Sequence, residues 1–173
     1  MMMIGLSLST SALADEFQEK ARKIQTLYKT GLIAMQQGKE TEAKNAFESV
    51  LKLNPGHGHA RYQLTQLPAT IAKVRQEKRK ALFNSTVIKE IDFNKATLSE
   101  ALEALDLMAA EATEKEFVPN FVVQDPTGES ENKLITLKMR NVPLSGILKY
   151  VTELSGTSVR YDAHATVLRP INK

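Results

Sequence analysis

Residues 134–169, LITLKMRNVPLSGILKYVTELSGTSVRYDAHATVLR, change hydrophobic period twice, and few folds accommodate that order. Ile135, Leu137 and Met139 alternate with Thr136, Lys138 and Arg140, the two-residue period of a strand with one buried face. The spacing then predicts a helix, with Asn141 as its cap and Pro143 in its first turn, where a missing N–H costs nothing. Leu144, Ile147, Leu148, Val151 and Leu154 recur at three and four residues and form one apolar face, and Gly156 stands where the helix has to end in the left-handed conformation. Val159 and Tyr161 alternate again, residues 162–165 make a turn, and residues 166–169 return as a last strand before Pro170.

The stretch before this one repeats the design. Residues 87–93 read as a strand, with Ile91 and Phe93 on one face and Glu90 and Asp92 on the other. Thr97 and Glu100 form a capping box for a helix whose buried stripe is Leu98, Ala101, Leu102, Leu105, Met108 and Ala109. Residues 121–123 are a short strand, and the polar segment 124–133 with Pro126 and Gly128 is a surface loop. The predicted fold class is α+β, and this half is expected to be a small βαββαββ sandwich of two helices on short sheets.

The segments IDFNKATLSEALEAL and ITLKMRNVPLSGILKYVTELSG, the latter followed by SVRYD, resemble the short N-terminal domain shared by secretins and TonB-dependent signalling receptors. The resemblance covers roughly residues 85–170, and its most specific element is Asn-Val-Pro-Leu between a strand and an amphipathic helix. It implies a domain that binds other proteins and has no catalytic residues. Nothing after Pro170 builds the secretin pore, which implies either a free-standing relative or part of a larger assembly.

The N-terminal half has a helical period throughout. Gly31 and Ala43 are small where two antiparallel helices cross, Phe47 and Val50 fill the seam, Gly38 turns the chain, and Asn54-Pro55 ends the second helix. These spacings, with Tyr28, are similar to one tetratricopeptide repeat. A further helix begins near Gly58 with Ala60, Tyr62, Leu64 and Leu67, and Pro68 is expected to interrupt it. One hairpin leaves half of its apolar seam open, so the helix over 68–83 is expected to cap it. The expected division is a signal peptide over 1–14, a helical module over 15–83 and the sheet module over 84–173.

In tetratricopeptide proteins the first helix of each repeat lines a peptide groove. The resemblance assigns that surface to Gln25, Tyr28, Leu32, Met35, His59, Tyr62 and Gln66. Tyr28 and Leu32 stand where some relatives carry a lysine and an asparagine that clamp a terminal carboxylate, which favours an apolar or extended ligand. The alternative is that these residues only pack an incomplete array.

The net charge of +3 conceals an asymmetry: residues 15–83 have 13 Lys or Arg against 7 Asp or Glu, and residues 84–173 have 10 against 13. Residues 1–14 are uncharged, and Ala12-Leu13-Ala14 before Asp15 has the form of a signal-peptidase site, so export to the periplasm or cell envelope is expected. The alternative is an apolar helical start that packs on the repeat. No run reaches the ~20 apolar residues of a membrane-spanning helix, and the absence of cysteine excludes disulfides and thiolate zinc sites.

Candidate chemistry is sparse. His57 and His59 in NPGHGHA could form a metal pair, as in a metal-dependent hydrolase, but no carboxylate stands nearby and polar residues are usual in such a turn. His164 falls in a hairpin turn. Asp106, Glu111, Glu114 and Glu116 lie along and past the exposed face of one helix rather than as an acid/base pair. Lys73, Arg75, Lys78, Arg79 and Lys80 could favour nucleic acid, yet no aromatics interleave with them, and the Gly-x-x-Gly clamp of an RNA-binding KH domain is absent. Neither a phosphate loop nor a nucleophile elbow is present. The expectation is a non-enzymatic adaptor without cofactor, metal or nucleic acid, whose partner is a secretin, a pilus or envelope component, or a second copy of itself.

Overall fold

The structure, a computed structural model, describes residues 7–171, with side chains from residue 13 onward. The chain is mixed α+β, helical first and sheet-containing afterwards. It divides into two compact units, Met1–Val74 and Arg75–Lys173.

The first unit contains α1 (Ser7–Gln36), α2 (Glu40–Leu53) and the first part of α3 (Gly58–Ser85). Ala43, Ala46, Phe47 and Val50 recur at helical spacing on α2 and are all buried. Glu40 and Glu42 in its first turn and Lys52 in its last oppose the helix dipole with the favourable signs. Packing of α1 on α2 depends on Gly31: a Cβ built there would lie 2.6 Å from Cε1 of Phe47, so only a hydrogen fits. Asn54 closes α2 by donating its backbone N–H to the Val50 carbonyl (2.8 Å), and its Oδ1 accepts the Gly56 N–H (3.1 Å).

Pro68 does not interrupt α3, which runs through it. Ala60, Leu67 and Ile71 are buried on both sides of the proline in one core cluster with Ala34, Ala43, Phe47 and Val50, and Leu64 packs against it. An interior proline costs about 3 kcal/mol, whereas each fully buried aliphatic side chain contributes about 1.5–3 kcal/mol; the apolar stripe therefore outweighs the lost hydrogen bond. The cover for the hairpin is the first half of α3 as far as Ile71, so only the start of the segment 68–83 takes part in it. Phe83, at the far end of that helix, belongs to the core of the other unit, which is why the division falls at Val74/Arg75 rather than at 83/84.

Of the expected leader, residues 1–6 lie outside the described residues. Leu13 and Phe17 on α1 are 65% and 75% exposed, so they do not cover the helical core.

The second unit continues with β1 (Val87–Thr97), α4 (Leu98–Ala112), β2 (Phe121–Val123), β3 (Leu134–Pro143), α5 (Leu144–Ser155), β4 (Thr157–Tyr161) and β5 (Thr166–Pro170). β1 pairs antiparallel with β3, bringing Ile91 opposite Met139 and Phe93 opposite Leu137. In the other sheet β5 is central, with β2 parallel on one side and β4 antiparallel on the other. Helix α4 packs on β1, and α5 packs on β3 and β4. Ile91, Leu98, Leu105, Ile135, Leu144, Ile147, Leu148, Val151 and Leu168 are buried between them. Phe83 sits among Tyr161, Phe117 and Phe121, with ring centroids 4.9, 5.4 and 5.9 Å away.

The helix ends follow their local chemistry with one exception. Thr97 Oγ1 accepts the Glu100 N–H (3.2 Å) while the Glu100 carboxylate accepts the Thr97 N–H (2.7 Å), a reciprocal capping box. Gly156 ends α5 at φ 68°, ψ 31°, a conformation that a side chain disfavours. Asn141, however, does not cap α5. It lies within β3 at φ 52°, and Pro143 is the residue before the helix. The first orphan amide of α5, that of Leu144, donates instead to the Thr86 carbonyl (2.8 Å). A partner distant in sequence does the work expected of the adjacent asparagine.

Candidate functional site

The seven residues assigned to a groove separate into two classes in the helical unit. Tyr28, Leu32 and Met35 are partly buried and pack against its core. Gln25, His59, Tyr62 and Gln66 are exposed, Tyr62 by 61%. His59, Tyr62 and Gln66 follow one another at three and four residues and therefore share one face of α3.

A row of rings runs from that surface into the core. His59 lies 6.3 Å from His57, His57 lies 5.2 Å from Tyr28, and Tyr28 lies 5.7 Å from the fully buried Phe47, all between ring centroids. Tyr28 thus acts as a support held by Phe47, and only His59 at the outer end of the row is open to solvent. The resemblance alone places Tyr28 among the contact residues. It does not show that the Tyr28 ring is partly buried against Phe47.

His57 has a role that residue type did not suggest. Its Nδ1 accepts the Ala60 N–H (3.1 Å), capping the start of α3, and Arg61 donates from Nη2 to the Pro55 carbonyl (2.8 Å). The turn is therefore held by its own polar groups. Among the described residues no group of three or more His, Asp or Glu is arranged to hold a metal ion, so His57 and His59 have no third ligand.

The basic run does not form a continuous cationic face. Arg79 donates from Nη1 to the Pro119 carbonyl (2.6 Å), and its Nε is buried without a hydrogen-bond partner among the described residues. Burial lowers the pKa of this guanidinium, and the Asp106 charge opposes that shift. Asp106 in turn accepts the Asn120 N–H (3.0 Å); burial raises its pKa, against the hydrogen bonds from Asn120 and Phe121 and the charge of Arg79. Thr166 adds a hydroxyl to Pro119 (3.0 Å) and an amide to the Asn120 carbonyl (3.0 Å), and Asn120 donates to the His164 carbonyl (2.7 Å). Arg79 and Asp106 therefore fix the entry to β2. This separates Asp106 in role from the carboxylates that follow it along α4.

The exposed face of α3 offers one large aromatic surface, an imidazole and a primary amide, in Tyr62, His59 and Gln66, and α1 has a second exposed amide in Gln25. Such a set suits recognition of polypeptide, because the ring buries apolar area at little conformational cost and the amides both donate and accept. Among the described residues, no helix is long and apolar enough to cross a membrane. Comparison of the chain with protein-family models, with curated proteins and with solved structures gives no match.

Proposed function

We propose that this chain is a non-enzymatic adaptor that docks polypeptides in the cell envelope. Its helical unit is read as a tetratricopeptide-like hairpin closed by the first half of α3, and its sheet unit as a relative of the short N-terminal domain of secretins. The observation that carries this reading is the exposed Tyr62 set between His59 and Gln66 on one helical face. Gln25 belongs to the same docking surface by resemblance, while Tyr28, Leu32 and Met35 hold it from below. The partner is a secretin, a pilus component or another envelope protein, or a second copy of the chain. Ala12-Leu13-Ala14 before Asp15 supports export.

Site-specific photo-crosslinking in cells tests this directly. A crosslinker in place of Tyr62 is expected to capture one defined polypeptide, and the same group in place of Glu103, exposed on α4, is expected not to. Equal capture at both positions, or none at Tyr62, contradicts the proposal.

A further inference from the structure

We infer that the outer edge of β1 is a seat for an extended, basic segment of a partner polypeptide. This rests on the reading that the sheet unit docks protein, and it names the edge and the chemistry of what binds there. Among the described residues β1 pairs with β3 alone, so along its other side the alternate amides and carbonyls have no described strand opposite them. Beside that edge lies an open groove of about 420 Å³, lined on one wall by the four consecutive residues Val87, Ile88, Lys89 and Glu90 and on the other by Met108, Glu111, Ala112 and Glu114 of α4 and the turn after it. A groove bounded by consecutive strand residues on one side and a helix on the other has the shape of a missing strand. Val87 is 48% exposed, and Met108 and Ala112 supply apolar floor for alternate side chains of an added strand.

Charge selects the occupant. Glu111 and Glu114 stand at the negative end of α4, whose last turn has no basic residue, and neither carboxylate has an ion-pair partner among the described residues. Glu90 is already matched by Arg140 across the pair (2.8 Å), which leaves Lys89 as the single cation among the described residues that line the groove. The wall formed by α4 is therefore uncompensated and negative. An incoming strand that alternates apolar residues with lysine or arginine satisfies the edge by backbone pairing and the rim by charge. A second copy pairing β1 with β1 would bring the same carboxylates together and is disfavoured by that repulsion.

The test uses the full chain, isotope-labelled for amide NMR, and two synthetic octapeptides of alternating valine with lysine or with glutamate. The lysine peptide is expected to give saturable shifts at residues 87–90 and at Met108 and Glu114, with slowed hydrogen exchange at the β1 edge. The glutamate peptide is expected to bind at least about tenfold more weakly, and Glu111→Gln with Glu114→Gln to remove most of that preference, since both side chains are exposed and outside the core. Equal shifts from both peptides, or no shift at 87–90, overturns the inference. So do shifts at 87–90 that grow with protein concentration in the absence of peptide, because the occupant would then be a second copy. Shifts confined to Gln25, His59, Tyr62 and Gln66 overturn the β1 seat while leaving the helical docking surface standing.

Discussion

The helical unit and the sheet unit reach stability by different means, and the contrast separates packing from recognition. The helical unit depends on one close approach, Gly31 against Phe47, with Tyr28 and His57 stacked outward from it. Its residues between the exposed surface and the core form a graded series, so a contact residue and a packing residue can be neighbours in one ring row. The sheet unit has a larger apolar core and fixes its irregular segments with polar anchors: Arg79 and Asp106 at the entry to β2, Thr97 with Glu100 at the start of α4, and Thr86 at the start of α5. There two charged residues that look available for binding in the sequence, Arg79 and Asp106, are taken up by the scaffold, while Glu111 and Glu114 stay unpaired among the described residues. The lesson is that similar surface chemistry has opposite meanings in the two units. On the proposed reading an exposed aromatic in the first serves docking, whereas an arginine from a basic run in the second is held within the scaffold.

Core truncation in each unit gives the largest effect with which to break this comparison. Phe83→Ala is expected to cost about 3–5 kcal/mol and to loosen the amides of β3 and β5, as read by hydrogen exchange. Loosening of α1 and α2 instead would mean that Phe83 belongs to the helical core. Gly31→Ala comes next, with a cost of about 1–3 kcal/mol from overpacking against Phe47. Adding Phe47→Leu should recover part of it, and a Gly31→Ala chain as stable as the parent would remove the close approach from the account. Thr97→Ala should cost about 1 kcal/mol, with the exchange of the first amides of α4 accelerated and those of α5 unchanged.

The smallest effect concerns pH. Burial raises the Asp106 pKa above its ordinary value of 3.8, so the folded chain holds that proton more tightly than the unfolded one. Stability from this group is therefore present at low pH and falls as pH rises through the raised value. Asp106→Asn keeps an oxygen for the Asn120 N–H and removes the titration. Denaturant midpoints measured from about pH 3 to about pH 7 should show the variant gaining on the parent as pH increases. Asp125 has the opposite sign: amides of Ser130 and Thr127 and the Thr127 hydroxyl hold its carboxyl well below the usual range, so its contribution is present at neutral pH and lost on acidification.

How far the sequence could be read depended on whether the deciding partner was local. The capping box, the left-handed Gly156 and the Gly31–Phe47 crossing were legible because each is set by residues a few positions apart or by one small residue facing one large one. The break expected at Pro68 does not occur, because its local penalty is visible in the sequence whereas the burial of Leu67 and Ile71 that offsets it is tertiary. Asn141 does not cap α5 for the same reason: the Thr86 carbonyl that accepts the Leu144 N–H is distant in sequence. Of the proposed docking surface, Gln25, His59, Tyr62 and Gln66 are exposed, as a surface assigned by resemblance requires. The supporting role of Tyr28, Leu32 and Met35 was not legible, since period gives a face but not its depth. The groove beside β1 had no sequence signature at all, because it arises from which strand edge remains unpaired.

The most direct measurement is a calorimetric titration of the polypeptide captured at position 62 into the parent chain and into Tyr62→Ala, with thermal unfolding of both recorded alongside. Docking on the exposed face of α3 predicts a loss of affinity of at least about tenfold, typical of a truncated aromatic hot spot, and no change in unfolding temperature, because Tyr62 is 61% exposed. Unchanged affinity in the variant would contradict it.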